Sequence, residues 1–140
     1  MPKRAPKPAD HAPRPDVIVD FVCEQGMLFV LLKNIGKRSA YSVSTVFDKP
    51  LVGLGGQKSI SDLQLFRCVE FVPPGKEFSQ LVDPIANWFQ QGRPNRYTIT
   101  ITYADREGKH FRERIMHNLD IYKDLGYISV SGGKDGSSAD

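Results

Sequence analysis

The heptapeptide YTITITY, residues 97–103, alternates without a break. Successive side chains of an extended strand point to opposite faces, so Tyr97, Ile99, Ile101 and Tyr103 share one side and three threonines the other. A helix would scatter the same residues around its circumference. The run reads as a half-buried strand. ADREGKH follows, with Gly108 placed for a bulged turn, and FRERIMHNL returns as the partner strand, so the segment predicts a β-hairpin.

The same period governs most of the chain upstream. DVIVDFVCE (16–24) sets Val17, Val19, Phe21 and Cys23 against Asp20 and Glu24. Gln25-Gly26 then provides a tight connection to MLFVLLKNI, which is apolar on both faces and predicts a central strand. In LLKNIGKRSAYSVSTVF (31–47) an Asn-x-Gly break and a small cluster of positive charge separate two apolar runs. Asn34 and Gly36 suit the left-handed backbone angles that end a strand, so the cluster is read as a turn between strands rather than a ligand loop. AYSVSTVF (40–47) is the third strand, residues 48–63 a Gly-rich connection, and LQLFRCVEFV (63–72) a further extended run.

PPGK (73–76) fits a type II turn, with Gly75 at the positive angle, and EFSQLV continues as a strand. In DPIANWFQQG, Asp83 can cap a first turn and Pro84 suits the first helical position, while Ile85, Trp88 and Phe89 share a face. One short helix is expected there. About seven strands, frequent turns and one crossover helix predict an all-β, immunoglobulin-like antiparallel sandwich over residues 16–128.

The two ends read differently. Residues 1–15 hold five prolines and no apolar run, and residues 129–140 are rich in Ser and Gly, so both are expected to be disordered tails. The net charge of +3 belongs to the leader, through Lys3, Arg4, Lys7 and Arg14 against Asp10; residues 16–128 carry 14 basic and 13 acidic side chains. A nucleic-acid-binding surface on the domain is therefore not expected, and the nucleic-acid alternative rests on the leader as a basic arm. No secretory segment and no apolar run long enough to span a membrane is present, which places the chain in the cytoplasm unless an anchor precedes Met1.

At this point the pattern of an apolar strand, Asn34-x-Gly36, Ala40, Val43 and Phe47, then Pro74-Gly75 before another strand resembles the bacterial CARDB-type immunoglobulin-like domains. The later YTITITYADREGKHF and HNLDIYKDLGY are similar to a group of uncharacterised bacterial proteins carrying such a domain. The resemblance implies a sandwich of the kind associated with adhesion and surface architectures, although this chain has neither repeats nor an export signal. It brings no catalytic residues.

No catalytic, cofactor or metal site is expected from the residues themselves. GLGGQKS (53–59) comes nearest to a phosphate loop, but Gln57 stands where glycine must precede the lysine. His110 and His117 lie an odd number of residues apart on one strand and point to opposite faces. Cys23 and Cys68 have no CxxC spacing; a disulfide between them and two thiols both stay open, with reduced thiols expected in a chain that is not exported. Asp105, Glu107 and Asp120 read as solvated turn carboxylates. The aromatic and aliphatic residues near 119–128 either cover an open end of the sandwich or form a docking patch. Trp88, Tyr122, Leu125, Tyr127 and Ile128 are the candidate contacts for an unknown protein partner or a second copy.

Overall fold

All but part of one of the runs read as extended fold as strands, and the strands divide between two sheets. The computed structural model describes residues 12–125. β1 (Val17–Glu24), β2 (Met27–Asn34) and β7 (Glu77–Pro84) form a three-stranded antiparallel sheet in the order β1-β2-β7. β6 (Val69–Val72), β3 (Ala40–Phe47), β8 (Arg96–Ala104) and β9 (His110–Asn118) form the facing sheet in the order β6-β3-β8-β9. β4 (Val52–Gly53) and β5 (Lys58–Ser59) make a two-residue hairpin within the long connection. The chain crosses between sheets after β2, β6 and β7, which gives the immunoglobulin-like sandwich.

Burial follows the alternation. Val17, Val19 and Phe21 of β1 meet Tyr97, Ile99, Ile101 and Tyr103 of β8 in one buried core. The bend between β1 and β2 uses Gln25 and Gly26, both at positive φ (50° and 77°), as a two-residue hairpin that matches strand twist. In β3 a register shift between Tyr41 and Ser44, with Ser42 at φ 53°, keeps Val43 facing inward. Gly75 takes its positive φ (81°), and the Lys76 amide closes the turn on Pro73 O at 3.0 Å.

Three local expectations change. The run at 63–72 is extended only from Val69 onward; Gln64–Arg67 is a helical turn, α1. Its Phe66 is fully buried, edge-on to Phe47 at 5.0 Å, and this burial overrides an alternation that a short apolar run states only weakly. Asp83 does not cap the second helix, α2 (Ile85–Gln90), which has no side-chain cap; it belongs to β7 and lies buried. Asn34 and Gly36 do not adopt left-handed angles.

What Asn34 does is hold one end of the sandwich together. Its buried carboxamide oxygen accepts from the amides of Asp16 (3.1 Å) and Gly36 (2.9 Å), and its Nδ2 donates to Arg38 O (2.8 Å) and Val72 O (2.9 Å). Its own backbone exchanges bonds with the 73–76 turn, through Gly75 N and Lys76 O. Gly36 is required for a different reason than backbone angle. A Cβ there would sit 2.4 Å from Arg14 O and 2.5 Å from Asp16 N, because residues 14–16 are strapped across it. The Lys37 amide bonds Arg14 O and the Ile35 amide bonds Asp16 O.

The end of the leader therefore packs: Pro15 is buried, and Arg14 pairs with Glu113 at 3.2 Å while lying 4.9 Å from the Phe111 ring centre. Residues 1–11, with Lys3, Arg4 and Lys7, lie outside the described residues, as do Tyr127, Ile128 and the Ser/Gly-rich residues 129–140.

Candidate functional site

The strap and three loops meet at one end of the sandwich. The loops are residues 35–39, 73–76 and 105–109, the end of the fold that immunoglobulin-like domains commonly use for contact. Between them lies a cleft of about 260 Å³. Pro13, Pro15 and Pro74 give it rigid apolar walls, and Tyr41 forms part of the lining. Lys37, Arg38 and Arg106 supply its positive charge. Among the described residues none of these three cations forms an ion pair.

Two carboxylates share the cleft but are not equivalent. Asp105 Oδ1 accepts from the amides of Glu107 (3.0 Å) and Lys109 (2.8 Å), so it is spent on shaping its own turn. Glu107 forms no such bond among the described residues. Read from sequence alone, Lys37 and Arg38 belong to a plain turn. They do form one, and the fold then sets that turn beside residues 70 positions away, which no local pattern announces.

The residues expected to meet a partner divide. Trp88 is corrected: it is fully buried, its Nε1 donating to Asn95 Oδ1 at 2.9 Å, so it cannot reach a partner from within the core. Tyr122 is half-buried, and its hydroxyl donates to Phe21 O at 2.7 Å. Leu125 is 55% exposed and Ile121 56% exposed, both in a helical turn over residues 121–125. Leu119 is buried, its amide on Asn95 O, so the start of this segment covers the sandwich end opposite the cleft.

The other chemical candidates are also placed. In the Gly-rich loop the Gly55 amide faces both oxygens of Asp83 at 3.3 and 3.4 Å, so the anion it meets is the protein's own carboxylate. His110 is exposed, whereas His117 points inward, its Nε2 2.9 Å from Val19 O and its ring edge-on to Phe21. A carbonyl only accepts, which fixes the proton on Nε2. Cys23 and Cys68 are free thiols, and burial pushes the Cys23 thiol up. Among the described residues no group of three or more His, Cys, Asp or Glu could hold a metal ion, and no helix is long and apolar enough to cross a membrane.

The sequence model of a family described as a domain of unknown function, DUF8453, matches residues 4–123. The chain belongs to the DUF8453 family. No curated protein matches it. The DUF8453 match begins ahead of the strap and ends after Tyr122, so it takes in the two segments that fasten onto the sandwich as well as the strands.

Proposed function

We propose that this domain is a noncatalytic binding module that works through protein–protein contacts, with the loop-end cleft as its primary contact surface. The observation that carries this reading is the set of three cations, Lys37, Arg38 and Arg106, that form no ion pair among the described residues and stand around walls of proline. Proline walls and a loop tied by Asn34 lose little freedom when a partner docks, so binding there carries a small ordering cost. The resemblance to CARDB-type domains, associated with adhesion, points the same way.

Affinity capture with crosslinking tests it, using the full chain and the triple variant Lys37→Ala/Arg38→Ala/Arg106→Ala. The expected result is a defined protein partner held by the parent and lost by the variant, with the two melting alike. Capture that survives the triple substitution, or neither partner nor oligomer in repeated trials, would sink the reading.

A further inference from the structure

A sandwich of this kind has four edge strands: here one is closed, one is closed over half its length and one is short. Asp16 O receives the Ile35 amide, so even-numbered residues of β1 bond β2 and odd-numbered ones face outward. Those outward positions are answered by side chains: Val19 O by His117 and Phe21 O by Tyr122. β7 is covered over its second half, where a Cβ on Gly53 would lie 2.2 Å from Val82 O. β6 has only four residues.

β9 differs. Its pairing with β8 is bracketed by Asp105 N to Lys109 O at one end and Leu119 N to Asn95 O at the other, both in the strand register. Odd-numbered residues of β9 therefore bond β8, and His110, Arg112, Arg114 and Met116 turn their N–H and C=O groups to the outer edge. Among the described residues no strand pairs there. Arg112 and Arg114, two residues apart and about 7 Å along the strand, point to the same exposed face. Their cross-strand neighbours are Thr102 and Thr100, and neither arginine forms an ion pair among the described residues. Met116 beyond them is 77% exposed.

We infer that the outer edge of β9 takes up an extended acidic segment of a partner protein as an added strand, with carboxylates at alternate residues facing Arg112 and Arg114. Backbone bonds to the even-numbered residues would supply the pairing, and the alternate carboxylates its selectivity. A second copy fits worse, because full antiparallel overlap of two β9 strands sets Arg114 directly against Arg114. This surface is separate from the cleft, and each has its own variant, so either can fail alone.

The test uses the full chain and a synthetic nine-residue peptide with glutamate at alternate positions and valine or threonine between. In the free chain the amides of Arg112, Arg114 and Met116 should exchange with solvent readily, and the peptide should protect them. Arg112→Glu/Arg114→Glu should weaken binding by about tenfold or more, while the cleft variant should leave it unchanged. A peptide of equal charge with proline at alternate positions should not bind, since it cannot build the ladder. The inference is overturned if the peptide does not bind, if binding ignores the arginine reversal, or if those amides are already protected in the free chain by a second copy or by residues 126–140. Single-stranded DNA or anionic vesicles taking the place of the peptide at these arginines would overturn it as well.

Discussion

β1 and β9 are the outer strands of their sheets on the same side of the sandwich, and they treat the edge in opposite ways. β1 is closed at its start by the strap over Gly36 and along its length by Tyr103, His117 and Tyr122, while among the described residues no strand pairs with the outward backbone groups of β9. An edge strand invites pairing, and a fold can either satisfy it with side chains or leave it usable. The side chains that close β1 at Val19 and Phe21 come from 98 and 101 residues away. The difference teaches that closure here is a tertiary act, and that β9, a long edge with no such closure among the described residues, carries two arginines on one face.

The comparison breaks most severely at Asn34. Asn34→Ala removes four hydrogen bonds from a buried site and strands the groups that made them, at a cost of about 3 kcal/mol or more. Urea unfolding should show the loss, and hydrogen exchange should show the Lys37 amide released first as the strap lifts. Gly36→Ala strikes the same strap from the other side. The added methyl meets backbone atoms of Arg14 and Asp16, which must move, and the expected destabilisation is about 2 kcal/mol. If Gly36→Ala unfolds at the parent's urea midpoint, the strap is not held as described.

A smaller effect separates the two edges along their length. Tyr122→Phe deletes the donor to Phe21 O and should cost about 1 kcal/mol, with new exchange at the outward positions of β1 and none at β9. High pH should reproduce this. Burial raises the Tyr122 and Tyr103 phenols above the ordinary value near 10, so their stabilisation is complete below about pH 10 and is lost as pH rises through the raised folded values. Burial also pushes the phenol of Tyr97, on the inner face of β8, up to about 12, so it stays protonated through the same rise in pH. An alkaline melt of the parent should therefore fall over that range, and Tyr122→Phe should fall less.

The smallest effect on stability belongs to β9. Arg112→Glu/Arg114→Glu touches two exposed side chains that form no ion pair among the described residues and should shift folding by no more than about 0.5 kcal/mol. A thermal melt checks this. A large loss would mean the arginines are structural, and the contrast between the edges would dissolve.

The fold itself was largely legible. Alternation, with the all-apolar run of β2 and the turn residues between, placed the seven principal strands, and the bounds of β3 and the inward residues of β8 follow directly from period two. That reading failed where length or context outweighed period. Gln64–Arg67 is too short for its pattern to tell helix from strand, and Asp83 carries a capping residue's chemistry but is drawn into β7 to meet the Gly-rich loop. The candidate site was less visible. Lys37, Arg38 and Arg106 look like ordinary turn residues in sequence, and only loop convergence makes them one surface.

The amino-acid order alone determined which face of each strand is buried, because the side-chain period of an extended chain is two and the burial of apolar surface selects one face. Tertiary structure decided the rest: that Asn34 is a buried hub rather than a bend, that Gly36 exists to let the strap pass, and that β1 is closed by distant side chains while β9 has no outer partner strand among the described residues. The physical reason is the same in each case. A polar group's role depends on which donors and acceptors reach it, and here those partners arrive from distant parts of the chain.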